Sequence, residues 1–472
     1  MRLVLLIFFL AASLWSKAET RLSTDRLAAG TKKTEKKFRL TSDKDWRIET
    51  EKAWISVSPQ KGKAGTHTLT AAVLENSDFS ERTACIKVIT SDTVIKLTVN
   101  QVDSENYWKN GDLITLNSAG QLPPGRKPIP IVIIGDGWDL SDLRKGGLWE
   151  TFARALSDLF LEIDVVRDFR DYFDIYAYCA ESNHRGIHGF NAFGTTTKKG
   201  TDFKKMRRLI NKALKNHPNR KAMTFISASN GKVGGWASVE GYAFVSNPDS
   251  TGTYAYWMAH EFIGHGFGQI PDFYPCWGCG TDFSCDTLDR NSPPVKDKIT
   301  RRGGYYPKSF TNGKNKVKAL VKRTYRAWNA GFEWNVDWET DPERVVWKDF
   351  IGREGYENVG VFPTEFNDWG DYNCWYYGLT TPEQDDCMVT SAYVWFNVGS
   401  RIWLWNKILK YTGVPDPNLL ENPDPEHPRS LENFMKFDAE HGYNRNGQRS
   451  PLPEEHPVLT GKYWIENNLY PQ

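Results

Sequence analysis

The stretch "AHEFIGHGFGQIPDFY", residues 259–274, decides how the chain is read. His260 and His265 stand five residues apart, with Glu261 directly after the first. An α-helix advances about 100° per residue, so side chains four apart share a face and side chains five apart diverge by about 140°. A regular helix could not bring these two imidazoles to one point. A π-bulge adds one residue to a turn and restores the shared face, and such bulges gather at functional sites. Gly264 eases that distortion. No proline interrupts residues 251–270, and the apolar content predicts a largely buried helix there.

Two imidazoles sharing a face suit a divalent metal. A catalytic zinc commonly takes three protein ligands and a water. His260 and His265 supply two. Asp272 lies past the turn made possible by Gly266 and Gly268, with Pro271 stiffening the return, and is the expected third. Glu261 is then placed to take the proton of the water and deliver it to a leaving amine. A single histidine on an apolar helix is usually just packed. Two histidines, a glutamate and an aspartate in one short glycine-flanked stretch are harder to explain that way.

Working back towards the N-terminus, "IPIVIIGDGW" (129–138) reads as a buried strand ending in glycines, and "GLWETFARALSDLFLEI" (147–163) has helical spacing. "YFDIYAYCAES" (172–182) is a strand, "FKKMRRLINKALKNH" (203–217) a basic amphipathic helix, and "KAMTFIS" (221–227) a strand again. Strands alternating with helices imply an α/β layer with a mostly parallel sheet. "GYAFVS" (241–246) is a last short strand before the histidine helix, and "AYVWFNVGSRIWLWNKILKY" (392–411) is a helix expected to pack beneath it. His184 and His188 lie in a loop after a strand; they either edge a cleft or are solvated, and solvation is the default.

Ahead of this lies an all-β segment. "TLTAAV", "CIKVIT" and "VIKLTVNQ" alternate apolar and polar residues as half-buried strands do. Trp46 and Trp54 are expected to close the core between two small sheets, and Cys85 to face away from Ile86 and Val88. The segments "SDKDWRIETEKAWISVSPQKGKAG", "ERTACIKVIT" and "TVNQ" resemble the BACON domain, a small β-sandwich. That resemblance implies either glycan binding or a spacer, and no readable cluster of exposed aromatics favours the first. The expected organisation is a signal peptide over 1–18, a sandwich over 24–102, a linker over 103–127 with its turn at Pro123-Pro124-Gly125, and a catalytic domain over 128–472.

The signal peptide reads "MRLVLLIFFLAASLWSKAET": one arginine, an apolar run, then small residues. It implies export to the periplasm or beyond, and no later run is long enough to span a membrane. The net charge of +2 gives no global pull towards nucleic acid or a membrane surface. Export permits disulfides among the seven cysteines, and Cys276-x-x-Cys279 reads as disulfide chemistry more readily than as a second zinc site.

The histidine stretch resembles the IgA-peptidase family of secreted zinc metallopeptidases, many of which read His-Glu-x-Gly-Gly-His-Gly-Phe-Gly, three variable residues, then Asp-Glu-Tyr. His260, Glu261, Gly264, His265, Gly266, Phe267, Gly268, Asp272 and Tyr274 stand in register. "IIGDGW", "FDIYAYCAES", "NAFGTTT" and "WKDFI" match further segments, so the likeness runs over about 128–400. It implies a zincin-like catalytic domain from a bacterium, one Zn²⁺ on His260, His265 and Asp272, Glu261 as general base, and a protein or peptide substrate. Met388, in "DDCMVTS", takes the place of a hydrophobic floor under the metal. By analogy with zinc peptidases generally, an extended substrate pairs antiparallel with an edge strand, here Gly241, Tyr242, Ala243 and Phe244, with Gly234, Gly235 and Trp236 shaping the approach. Tyr376 or Tyr377 is a candidate oxyanion donor. Two departures stand out: Phe273 replaces the usual Glu, and "NCWYYGLTTPEQDDCMV" lacks the expected arginine-containing stretch. The alternatives are an inactive peptidase-fold protein that binds glycans or proteins, against which the retained Glu261 speaks, and a zinc amidase acting on cell-wall links, which would use the same residues.

Overall fold

The computed structural model describes residues 20–78, 80–196, 201–231, 236–238, 242–246, 254–270, 295–296, 305–306, 336–337, 341–343, 347–363, 377–379, 386–388, 394–415, 425–444 and 456–467. The N-terminal strands β1 (Arg21–Leu22), β2 (Arg26–Ala29), β3 (Thr34–Ser42), β4 (Trp46–Thr50), β5 (Ile55–Ser58), β6 (Lys61–Gly62), β7 (Gly65–Val73), β8 (Arg82–Ile89) and β9 (Val94–Gln101) form two sheets. Their orders are β1-β3-β7-β5 and β2-β9-β8-β4-β6. The period-two alternation does the sorting. Phe38, Leu40, Leu69 and Ala71 from one sheet meet Ile86, Val88, Leu97 and Val99 from the other in one buried core. Trp46 is buried in that core and Trp54 packs on its rim, while Cys85 points away from Ile86 and Val88 as expected.

A six-stranded sheet follows. It contains β10 (Leu113–Asn117), β11 (Ile129–Ile134), β12 (Phe173–Tyr178), β13 (Thr224–Ser229), β14 (Trp236–Ser238) and β15 (Tyr242–Ser246) in the order β10-β12-β11-β13-β15-β14. The four inner strands pair in parallel, and β10 and β14 close the edges antiparallel. All six residues of β11 are buried, because both faces of the sheet are covered. Ile131 and Ile133 point to α1 (Leu148–Phe160), whose Trp149, Phe152, Leu156 and Phe160 share their core. Val132 and Ile134 point to α2 (Phe203–Ala213), which contributes Met206 and Ile210 to a second core.

Strand order reverses at β11, since β12 lies on one side of it and β13 on the other. The "GDG" turn sits at the carboxyl end of β11, at this reversal. Asp136 there is a knot. Its carboxylate accepts from Gly137 N, Ser182 Oγ, Phe193 N, Thr195 N and Thr195 Oγ1 at 2.5–3.2 Å. A Cβ on Gly135 would lie 2.2 Å from the Ala228 carbonyl, and Gly137 holds φ at 80°. The motif fastens two loops over the strand end.

Two expectations are corrected. Residues 103–127 are not a free linker: Leu113–Asn117 is an edge strand of the sheet, and Trp108 donates from Nε1 to Glu150 at 2.9 Å. A five-residue edge strand beside a proline- and glycine-rich run carries too weak a pattern to stand out. His184 and His188 are not free loop histidines: the first is buried and the second half-buried. His184 is fully buried where the sandwich meets the loop after β12, and the two rings stack at 3.3 Å. Lys36 pairs with Glu181, Lys37 N donates to Asn183 Oδ1 at 3.1 Å, and the Arg39 guanidinium covers the Phe190 ring. The sandwich is docked on the α/β unit through β3. Among the described residues, no helix is long and apolar enough to cross a membrane.

Candidate metal centre

After one α-turn, α3 (Tyr254–Trp257), the chain winds into a π-helix over Met258–Gly268. The expected single bulge is thus an 11-residue π segment. Because π-helical bonds run from i to i+5, residues five apart lie over one another. Met258, Ala259, Phe262, Ile263 and Phe267 are buried in the main core, where Phe262 meets Phe160 and Phe267 meets Phe173. The segment ends at Gln269, a left-handed residue (φ 60°, ψ 31°), whose N–H bonds back to His265 O at 3.0 Å while Ile270 N bonds to Gly264 O at 2.9 Å.

That winding brings His260 and His265 together, with ring centroids 4.7 Å apart and planes at 81°. His260 Nδ1 lies 2.7 Å from the Cys387 carbonyl and His265 Nδ1 lies 2.6 Å from the Ile270 carbonyl. A carbonyl oxygen only accepts, so each Nδ1 carries the proton and each neutral ring keeps its lone pair on Nε2. Backbone carbonyls orient metal-binding histidines in the same way. Both rings are nearly buried, at 2% and 8% exposure, whereas Glu261 is partly exposed. Among the described residues, His260, Glu261 and His265 form a group whose ligand atoms all lie within 4.8 Å of one another. Such a set of imidazole nitrogens and a carboxylate can hold one divalent ion of borderline softness; it does not offer the all-oxygen shell that calcium or magnesium prefers.

The underside is built from the turn Asp386–Met388 and from α4 (Val398–Tyr411). Asp386 accepts from Met388 N at 2.7 Å and Asn397 N at 2.9 Å, and this fixes the turn whose Cys387 carbonyl holds His260. Met388 is fully buried against Gly264: a Cβ there would fall 2.2 Å from Met388 Sδ. Trp403 of α4 donates from Nε1 to Gly268 O at 2.6 Å. Gly264→Ala is therefore expected to destabilise by about 1–3 kcal/mol through overpacking. Met388→Ala in the same chain should recover part of that loss. Denaturant unfolding of the two single variants and the double variant reads the coupling; strictly additive losses would contradict the contact.

Sequence reasoning missed Tyr256, whose ring stacks on His260 at 5.0 Å and 30°. It also missed Asp386 and the Cys387 carbonyl. Tyr256 was legible in principle, four residues before His260 on a helix. The carbonyl was not, since nothing in a sequence marks which backbone oxygen faces a remote ring.

Asp272, with Pro271 and Phe273, lies outside the described residues, as do Gly241, Tyr376, the cysteines Cys276, Cys279, Cys285 and Cys374, and the side chains of Trp236, Tyr242, Ala243, Phe244 and Tyr377. Of the described cysteines, Cys85, Cys179 and Cys387 are free thiols. The edge-strand expectation is corrected. β15 does not have an open edge along Tyr242–Phe244, because β14 pairs there, Trp236 opposite Phe244 and Ser238 opposite Tyr242. Among the described residues, β14 is the outer strand. The preceding segment Trp236–Ser238 pairs antiparallel along β15, which the short "WAS" run did not announce.

Residues 44–102 match the BACON family, described as "Putative binding domain, N-terminal". The β-sandwich is BACON-like. No curated protein matches the chain. Solved structures give low likenesses. A Bacteroides ovatus GH5 xyloglucanase in complex with a XXXG heptasaccharide is 13% identical over 45% of this chain and 55% of its own, with a TM-score of 0.20. A protein from Bacteroides thetaiotaomicron is 13% identical over 19% of this chain and 84% of its own, at 0.13. A family 123 glycoside hydrolase from Clostridium perfringens is 10% identical over 29% of each, at 0.13. None of these likenesses bears on the fold or activity of the α/β unit.

Proposed function

We propose that this chain is an exported zinc-dependent endopeptidase with a zincin-like catalytic unit behind a BACON-like module. One observation supports the reading: the π-helix gathers His260, Glu261 and His265 so that their ligand atoms lie within 4.8 Å of one another, and two carbonyls hold the Nδ1 atoms, which leaves each Nε2 for an ion. The residues fit the ion, with Asp272 proposed as the third ligand. When bound, zinc supplies Lewis-acid charge that acidifies water and polarises a carbonyl. The protein does the rest. His260 and His265 hold their rings edge to face. Glu261, partly exposed beside them, takes a proton from the attacking water and returns it to the departing amine. Met388 and Phe262 keep the lower side dry, which strengthens every charge interaction above. Tyr377 is proposed to donate to the oxyanion, and β14 rather than β15 to receive the extended substrate.

The test is metal analysis of the purified protein together with cleavage of a peptide library. One equivalent of zinc with peptide cleavage is the expected result. Zinc without turnover of any peptide would put a binding protein in its place, and turnover of cell-wall amides alone would make it an amidase. Because the ligands converge only in the folded chain, chelation should also destabilise it. An ion at a hundred times its Kd adds about 2.7 kcal/mol, so a chelator should lower the melting temperature by several degrees and added zinc should restore it. An unchanged melting curve would count against a resident ion.

A further inference from the structure

The β-sandwich and the α/β unit have separate main cores, bridged only by a small buried cluster of Ala28, Val102, Tyr107 and Leu140 among the described residues, so opening their contact need expose no more than that cluster and the polar groups around it. At the centre of that contact lie two imidazoles the proposed chemistry does not use. His184 Nδ1 faces the Arg185 carbonyl at 3.1 Å, so it carries the proton, and Nε2 accepts from the Ser23 hydroxyl of the sandwich at 3.2 Å. His188 Nε2 faces the His184 carbonyl at 3.0 Å, so the proton sits there, and Nδ1 accepts from Phe190 N–H at 3.0 Å. His188 is thus satisfied only while neutral, whereas His184 can take a second proton only by reversing its bond to Ser23. A second proton on His188 would point at a backbone N–H that has nothing to accept with. A second proton on His184 would turn Ser23 from donor to acceptor, beneath a ring stacked 3.3 Å away.

We propose that the stacked His184–His188 pair is an acid-released latch that holds the sandwich on the loop 181–191. The idea is independent of the peptidase reading. Burial lowers His184 to about 4 and His188 to about 3. A ring released into water returns to about 6.5. Between these values the open form binds more protons, so docking is complete above about 6.5 and is lost progressively as the pH falls from there towards the docked values.

Charges reach the pair from β3, from Asp139 and from the loop itself, and Asp25 of the sandwich adds negative charge beside Arg185. Lys36 and Arg39 of β3 add positive charge that opposes protonation, and Asp139 favours it. Lys36 is paired with Glu181. Arg185 is paired with Asp142, whose burial pushes it up to about 6. Asp142 therefore titrates with the opposite sign, favouring the closed form in acid, and remains in any histidine variant as an internal reference.

Opening reaches further than the module. Ile187 of the same loop packs on Gly231, where a Cβ would lie 2.4 Å from Ile187 Cδ1, and Gly186 N bonds to Gly137 O at 2.8 Å. Gly231 lies two residues past the end of β13 and precedes in sequence β14 and β15, the strands that contact the π-helix. The latched loop braces that end of the sheet.

Hydrogen exchange on the full chain tests this. The Lys37 amide, which donates to Asn183 across the contact, is the reporter, and the Leu69 amide inside β7 reports on the sandwich itself. From about pH 7 to about pH 4.5, corrected for intrinsic rates, wild type should lose protection at Lys37 by about tenfold or more while Leu69 holds. His184→Phe/His188→Phe keeps two stacked rings that cannot take a proton, and should keep Lys37 protected at both values. Protection at Lys37 that survives in acid, that falls equally in the variant, or that falls together with Leu69 would overturn the latch. Should the variant fail to dock at neutral pH, imidazole titration of wild type by NMR decides: rings silent until Lys37 opens support it, and an ordinary midpoint near 6.5 in the docked chain refutes it.

Discussion

Glu261→Ala is expected to retain its metal and lose peptide cleavage by about 10³-fold in kcat/KM, the middle of the range for removing a general acid–base. The rings explain the retained metal. His260 and His265 are oriented by the Cys387 and Ile270 carbonyls, which truncating the glutamate leaves in place. Glu261 is also partly exposed, and its removal opens no buried cavity. The carboxylate also lies within 4.8 Å of a ring nitrogen of each imidazole, which is the placement of a ligand as well as of a base. The same variant separates the two. A ligand's loss lowers zinc occupancy, whereas a base's loss leaves occupancy intact and removes turnover. His260→Ala is the contrasting case. It deletes a ring whose Nδ1–H serves Cys387 O, and both zinc content and cleavage should fall. Full activity in Glu261→Ala, measured on the same peptide library, would end the proposed mechanism.

The parts of this protein that show in its sequence are those where one residue's neighbours along the chain decide its environment. The alternation in β7, β8 and β9 predicts a sandwich, because each strand has one wet face and one dry face. The uninterrupted apolar run of β11 predicts a strand covered on both sides, and the helical spacing around it supplies the covers. The five-residue gap between His260 and His265 predicts a π-helical turn, because only that winding gives two histidines one face. Its 11-residue extent is less legible: the glycines show that the distortion is cheap, but not how far it runs. What stays hidden depends on distant chain. His184 and His188 sit in a polar, glycine-bearing loop that looks solvated until β3 is laid across it. β15 looks like an edge until Trp236–Ser238 folds onto it. Asp386 looks like one acid among several until its two backbone partners, one of them eleven residues on, are seen to hold the turn under His260.

Asp438→Ala should be the most destabilising single change outside the metal centre, at about 3–5 kcal/mol. Asp438 belongs to α5 (Leu431–Glu440) and is fully buried. It meets Arg401 of α4 through two parallel bonds of 2.7 Å, Nε to Oδ1 and Nη2 to Oδ2, and also accepts the Tyr356 hydroxyl at 3.0 Å. Arg401 spends Nη1 on the Phe396 carbonyl at 2.9 Å. Burial pushes the Tyr356 hydroxyl well above its ordinary range, with the Asp438 charge adding to it, so Tyr356 is a donor at any working pH. Removing the carboxylate strands a guanidinium in the core with one neutral acceptor left. The pair itself need not stabilise strongly, since desolvating two charges costs much of what their attraction returns. Arg401→Met/Asp438→Leu should therefore lie close to wild type, and Tyr356→Phe should cost only about 1 kcal/mol. For a unit of this size the single variant should melt about 10 °C lower by circular dichroism. The metal centre should follow, because α4 carries Trp403, whose indole holds the Gly268 carbonyl at the end of the π-helix. A loss of zinc affinity in Asp438→Ala that the apolar double variant restores would tie the stability of this remote ion pair to the convergence of His260 and His265. Full affinity in the single variant, despite the lower melting temperature, would show instead that the π-helix is held by β15 and α1 without help from below.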